Sequence, residues 1–172
     1  MKLSIDDVNS YTKELFTEAF GTLFEHSPWV AEESYSKKPF TSMVQLHEQM
    51  KSTVESADTE RKLILLRNHP DLGARIAMSN HSVQEQAGAG LQTLSEVQHS
   101  ILSELNQKYT QTFEFPFIIA VKGKSADEII AAIKERVHNS YETEFDTALR
   151  EVYLISWYRL DAWMKEHMEE ER

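Results

Sequence analysis

His69-Pro70-Asp71-Leu72-Gly73-Ala74-Arg75-Ile76-Ala77-Met78-Ser79-Asn80-His81-Ser82-Val83-Gln84-Glu85-Gln86-Ala87-Gly88-Ala89-Gly90-Leu91 is the stretch where the helical periodicity of this chain breaks. Three of the five glycines, one of the four prolines and two of the seven histidines fall within it. Glycine and proline punctuate helices, so a helical protein has little structural need for that crowding. Polar, proton-exchanging side chains gather where the backbone must turn.

Upstream, Asp58 or Thr59 can cap a helix whose run Leu63, Ile64, Leu65 and Leu66 is too continuous to leave much solvent-facing surface, which makes it central. It must stop near Asn68, because His69 precedes Pro70 and a residue before proline is pushed out of the helical region. Earlier still, Ser10 can cap a helix carrying Leu15, Phe16, Ala19, Phe20, Leu23 and Phe24 at three- and four-residue steps. Ser27-Pro28 places an N-cap before a proline at the first helical position and opens the next helix, with Trp29 and Val30 on it. Lys38-Pro39-Phe40 breaks that helix, and Thr41 or Ser42 starts another with Met43, Leu46, His47, Met50 and Val54 on one side.

Downstream, Ser95 can start a helix through Ile101, Leu102, Leu105 and Tyr109. Residues 113–121 then read differently: apolar, β-prone and interrupted by Pro116, they form an extended buried segment. With no neighbouring strand in view, its backbone N–H and C=O groups need partners, and a ligand could supply some of them. Ser125-Ala126-Asp127-Glu128 is a capping-box sequence opening a helix that ends near His138-Asn139. From about Tyr141 a long helix runs to the charged end of the chain. The expectation is an all-α fold, one compact domain over residues 1–172 with about eight helices and one extended apolar segment at 113–121.

Charge and composition narrow the function. Eighteen basic against 28 acidic side chains give a formal charge of −10, which argues against a nucleic-acid surface. The absence of cysteine removes disulfides, thiol nucleophiles and cysteine-based zinc sites together. No segment approaches the ~20 apolar residues of a membrane span. Asp6 and Asp7 stand where a leader would be basic, and no Ser-Lys-Leu closes the chain, so the expected compartment is the cytoplasm.

Three residues invite chemistry. His69 sits beside a rigid ring, and an imidazole exchanges protons near neutral pH, although a capping or core histidine bonded to a carbonyl is the plainer reading. Glu85 closes a second capping-box sequence, Ser82-Val83-Gln84-Glu85, so it can serve the helix end, act as an oriented base, or both. Gln86 adds an amide that donates and accepts. Gly88 and Gly90 end that helix; they lack the lysine and spacing of a phosphate loop. Arg159 lies on the apolar stripe Phe145, Leu149, Val152, Ser156, Arg159, Trp163. A guanidinium there needs an anion, either an internal acid or a ligand carboxylate. His69, Asp71, His81 and Glu85 are metal-ligand types, but their spacing matches no established zinc or iron pattern, so no metal is expected.

Taken together, several motifs resemble the 2-oxo-4-hydroxy-4-carboxy-5-ureidoimidazoline (OHCU) decarboxylase family of uric-acid degradation. They are Phe24-Glu25-His26-Ser27-Pro28-Trp29-Val30-Ala31-Glu32, Lys38-Pro39-Phe40, Leu46-His47, His69-Pro70-Asp71-Leu72-Gly73, residues 82–91, and Phe115-Pro116-Phe117-Ile118-Ile119-Ala120-Val121-Lys122-Gly123. The resemblance covers nearly the whole chain. It implies an all-helical, cofactor-free, often dimeric enzyme that converts a small anionic substrate, OHCU, to (S)-allantoin and carbon dioxide. By the family pattern His69 transfers the proton, Glu85 is its acidic companion and Arg159 is a substrate-binding cation. Pro70, Ser82, Gln86 and the backbone of Phe117, Ile118, Ile119, Ala120 and Val121 line the pocket. Glu85 follows His69 by 16 positions, fewer than in animal members, so the loop between them differs and no role carries over to His81. The chain also resembles the decarboxylase half of bacterial proteins fused to urate oxidase, which makes such a fusion, or action beside that enzyme, an expectation. The rival readings are a helical interaction module in which the His69 turn is architectural, and a metal-dependent hydrolase.

Overall fold

Side-chain caps set most of the helix starts in the computed structural model, which describes residues 1–73 and 80–169. Among those residues the fold is all-α: nine α-helices, one 3₁₀ turn and no strand beyond an isolated bridge between Leu3 and Met168. Residues 74–79, within the loop expected to differ between His69 and Glu85, and residues 170–172 of the charged end lie outside the described residues. The chain divides into two packed units, Met1–Leu65 with the residues from Tyr153 onward, and Leu66–Val152.

In the first unit, α1 (Ile5–Asn9) is capped by Ser4, whose hydroxyl accepts from the Asp7 N–H while the Asp7 carboxylate accepts from the Ser4 N–H. Ser10, expected to open the first helix, instead ends this one; Thr12 caps α2 (Lys13–Phe20). A helix of five residues is too short for periodicity to reveal. Leu23 and Phe24 are buried as expected, but from the turn beyond α2. Phe16 and Phe20 meet edge-on at 4.9 Å, and Phe16 stacks on Phe40 at 5.9 Å. Each buried phenyl contributes about 1.5–3 kcal/mol to the core.

Pro28 itself is the N-cap of α3 (Trp29–Ser34), one position from expectation, and a 3₁₀ turn (Tyr35–Lys37) comes next. Ser42 caps α4 (Met43–Glu55), which buries Met43, Leu46, His47, Met50 and Val54. Asp58 accepts the Arg61 N–H at the start of α5 (Thr59–Arg67). Leu65 and Leu66 are fully buried there, but Ile64 is 49% exposed. Four successive helical residues sweep most of the circumference, so a continuous apolar run cannot face one way.

The second unit holds the end of α5, α6 (Asn80–Gly88), α7 (Glu96–Phe113), α8 (Ala126–Arg136) and the first half of α9 (Tyr141–His167). Ser95 and Gln98 form the capping box of α7, and Ser125 caps α8. Helix α7 runs to Phe113 and stops at Glu114 in the left-handed region, φ 63°. The irregular apolar segment therefore starts after residue 113, and every residue from Phe115 to Val121 is buried.

Candidate active site

Helix α5 ends where Pro70 requires it. The His69 N–H donates to the Leu66 carbonyl at 3.2 Å, and the half-buried imidazole emerges at the head of the turn. Two side chains fasten the rest of that turn: Asn106 Nδ2 of α7 donates to the Leu72 carbonyl at 2.9 Å, and Gln86 Oε1 of α6 accepts the Gly73 N–H at 2.9 Å. Gly73 has φ +73°, which favours glycine, and a Cβ there would press on the side-chain ends of Leu94 and Leu102 at 3.1 Å. Burial raises the Asp71 carboxyl above the usual carboxylate range. A cavity of about 350 Å³ opens beside the turn, lined by Asp71, Gly73, His99, Ser103, Asn106 and Gln107 among others.

Helix α6 differs from its expected start. It begins at Asn80, so Ser82 is its third residue and not its cap. The Ser82-Val83-Gln84-Glu85 capping box is thereby overturned. Ser82 is 5% exposed, and a hydroxyl that deep serves the interior. Glu85 is half-buried one turn further on. The helix ends as its glycines suggest: the Leu91 N–H reaches the Gln86 carbonyl at 2.9 Å, the Gly90 N–H reaches the Ala87 carbonyl at 3.0 Å, and Gly90 takes φ +76°. These two bonds around a left-handed glycine are a Schellman closure. Gln86 thus closes its own helix through its carbonyl and holds the Gly73 turn through its side chain. The Gly73–Gln86 bond links the His69 turn to the helix that carries Glu85.

Residues 115–121 find partners in side chains where no strand exists. Arg136 Nη1 donates to the Ile118 carbonyl at 2.7 Å, and Glu151 Oε2 accepts the Ala120 N–H at 2.9 Å. Arg136 also lies over the Phe117 ring, 4.5 Å from its centroid, and its Nε donates to Glu144 at 2.9 Å. Glu144 is fully buried and accepts from Asn139 Nδ2 at 3.0 Å and from the Tyr109 hydroxyl. Burial, then that carboxylate, pushes the Tyr109 phenol well above its ordinary value. Arg67 Nε donates to the Glu114 carbonyl at 2.9 Å, tying the end of α5 to the entry of this segment.

Periodicity passed over Glu144, although it stands on one buried line of α9 with Ala148, Val152, Ile155 and Arg159. A charged side chain on an apolar stripe is the same signal that marks Arg159.

Arg159 belongs to the first unit and is 3% exposed. Its Nη2 pairs with Glu25 Oε2 at 3.0 Å, and its Nη1 reaches the carbonyls of Thr22 and Leu23 at 3.3 and 3.4 Å. Of the two anions left open by the sequence, an internal acid is therefore present. Glu25 gave no periodic signal because it sits in the irregular turn after α2, beside His26 at φ 47°. Among the described residues no three metal-ligating side chains come together.

The sequence pattern of the family OHCU decarboxylase matches residues 9–161. The chain is 46% identical over 159 residues to the 2-oxo-4-hydroxy-4-carboxy-5-ureidoimidazoline decarboxylase of Haloferax volcanii, covering 92% of this chain and 95% of that protein. It is 42% identical over 157 residues to the uric acid degradation bifunctional protein of Bacillus subtilis, covering 91% of this chain and 32% of that longer one. A crystal structure of (S)-allantoin synthase superposes with a TM-score of 0.74 at 30% identity, over 94% of this chain and 54% of the other. The chain belongs to the OHCU decarboxylase family.

Proposed function

We propose that this protein is a carboxy-lyase of urate degradation that decarboxylates OHCU to (S)-allantoin and carbon dioxide, with His69 and Glu85 moving the protons. The observation that carries the assignment is 46% identity across almost the full length of a decarboxylase of that name. The link from Gly73 to Gln86, which holds the His69 turn against α6, supports the choice of residues.

The substrate explains why an imidazole and a carboxylate suffice. Its departing carboxylate is on the carbon that bears the hydroxyl, next to a ring C=N. When that C–C bond breaks, carbon dioxide leaves, the electron pair forms a C=C bond to the ureido-bearing carbon, and the C=N electrons move to the ring nitrogen, which takes up a proton to give a neutral enol. The enol must then lose its hydroxyl proton and gain one on the ureido-bearing carbon. An acid and a base held in place do both, and a proton delivered from one face sets a single enantiomer. Arg159 is the cation assigned to the substrate carboxylate, supported by a buried guanidinium whose bonds to the Thr22 and Leu23 carbonyls are long. Pro70, Ser82, Gln86 and the 117–121 backbone are assigned to the pocket wall.

Assembly as a homodimer, action fused to or beside urate oxidase, and a cytoplasmic location belong to the same proposal. The length of the Bacillus relative supports the second. No described helix is long and apolar enough to cross a membrane.

The test generates OHCU in place with urate oxidase and hydroxyisourate hydrolase and follows its decay together with the optical rotation of the product. His69→Gln should lower kcat by about 10²–10⁴, the usual worth of a positioned acid–base group. Near-normal turnover by that variant would remove His69 from the chemistry.

A further inference from the structure

The backbone of residues 117–121 has two edges, and the chain's own side chains take only one. In an extended chain the N–H and C=O of residues two apart turn to the same side, and those of the residue between them turn to the other. The two bonds are those expected on one side of an extended course: the Ile118 carbonyl and the Ala120 N–H are both taken by side chains, Arg136 of α8 and Glu151 of α9. On the opposite edge the Val121 carbonyl accepts from the Lys124 N–H at 3.0 Å, closing a turn. Among the described residues no hydrogen bond reaches the N–H or C=O of Ile119, or the N–H of Val121. Ile119 and Val121 are each only 7% exposed. Buried peptide groups are paired almost without exception, so these groups are left for water or a ligand to bond.

We propose that Glu151 and Arg136 are positioning residues of the substrate pocket. By fastening Ala120 and Ile118 they commit one edge of the segment and present the N–H and C=O of Ile119 as a donor–acceptor pair. Such a pair matches the N–H and C=O of a ureido group or ring amide. It gives a carboxylate, which only accepts, half of what it offers. The pocket wall assigned to residues 117–121 then meets the ureide part of the substrate through this pair. Arg136 is itself held by Glu144, which Tyr109 and Asn139 also bond, so the brace has a buried anchor. Glu151 is half-exposed, and its bond to Ala120 can be removed with little loss of core. The inference rests on the reading that residues 117–121 line the pocket.

The test compares Glu151→Ala with Glu151→Gln, which keeps an oxygen for the Ala120 N–H. Glu151→Ala should raise KM for OHCU about tenfold with kcat within about threefold, and Glu151→Gln should restore KM to within about twofold. A folded Glu151→Ala protein with wild-type KM overturns the proposal. So does equal impairment of both variants, since the charge and not the bond would then matter. Where Glu151→Ala does not fold, ¹⁵N-labelled wild-type protein titrated with (S)-allantoin decides. The Ile119 and Val121 amides should shift, and Ala120 should shift less. A larger shift at Ala120 overturns the brace alone. Movement at His69 with none in 117–121 overturns the pocket assignment, and this proposal with it.

Discussion

Among the described residues, each unit pairs one arginine with a fully buried glutamate, and the two pairs are built differently. In Arg136–Glu144 the bond to main chain is short, 2.7 Å from Nη1 to the Ile118 carbonyl, and the carboxylate sits on a helix with Tyr109 and Asn139 as further donors. In Arg159–Glu25 the carboxylate sits in an irregular turn, and Nη1 reaches two carbonyls at 3.3 and 3.4 Å, near the limit of a hydrogen bond. A guanidinium held at 2.7 Å is committed to its backbone. The Nη1 of Arg159 has the longer and weaker bonds to main chain, while its Nη2 stays paired with Glu25 at 3.0 Å, and a carboxylate is a stronger acceptor than either carbonyl. The contrast supports the proposed division, in which the first pair is architectural and the second is the one offered to the ligand.

The largest effect should come from the committed pair. Glu144→Ala leaves Arg136 buried without its anion and Tyr109 without its acceptor. Removing one partner of such a pair costs about 3–5 kcal/mol. Chemical denaturation should show the loss in full, and a double-mutant cycle with Tyr109→Phe should show strong coupling through Glu144. A loss below about 1 kcal/mol would mean that the network is not the anchor its geometry suggests.

The Arg159 pair should respond in the opposite sense. Arg159→Lys keeps the charge and loses the planar fork, so the expected result is KM for OHCU raised about 10–100-fold with a stability change of about 1–2 kcal/mol. Should stability fall as far as in Glu144→Ala while the folded fraction keeps its KM, the two pairs are alike and Arg159 is structural.

Legibility in the sequence divides along the same line. Helices that begin with a side-chain cap and carry a stripe of three or more turns are readable: Ser42, Ser95 and Ser125 open α4, α7 and α8 as expected. Gly90, too, ends α6 as its type predicts. Features decided by tertiary partners are not. Ser82 matches a capping box, yet the helix starts two residues earlier and buries it. Ile64 lies in an apolar run, yet helical rotation leaves it exposed. In the candidate site, His69 and Glu85 stand out because a break in periodicity and a motif mark them. Glu25 and Glu151 do not, because their roles depend on bonds to Arg159 and to the Ala120 backbone, which no local spacing encodes. Glu144 is legible in principle, on the stripe that gives Arg159.

The smallest effect tests whether the unit holding Arg159 tolerates a second charge. His47 is 7% exposed, with Nε2 2.9 Å from the Ser156 hydroxyl, and that hydroxyl donates to the Tyr153 carbonyl at 2.8 Å. With its one proton committed there, the hydroxyl must accept from His47, which places the imidazole proton on Nε2. Burial is the main cause holding the imidazole below its ordinary pKa, so the folded state favours the neutral ring. The unfolded chain therefore binds a proton first as pH falls. The contribution is complete above the unfolded value of about 6.5 and is lost as pH drops through the lowered folded value. Unfolding midpoints of wild type should fall between about pH 7 and pH 5 more steeply than those of His47→Gln, whose amide does not titrate. Parallel curves would show that the charge on His47 is accommodated, and that the interior around α4 and α9 is more polar than its burial implies.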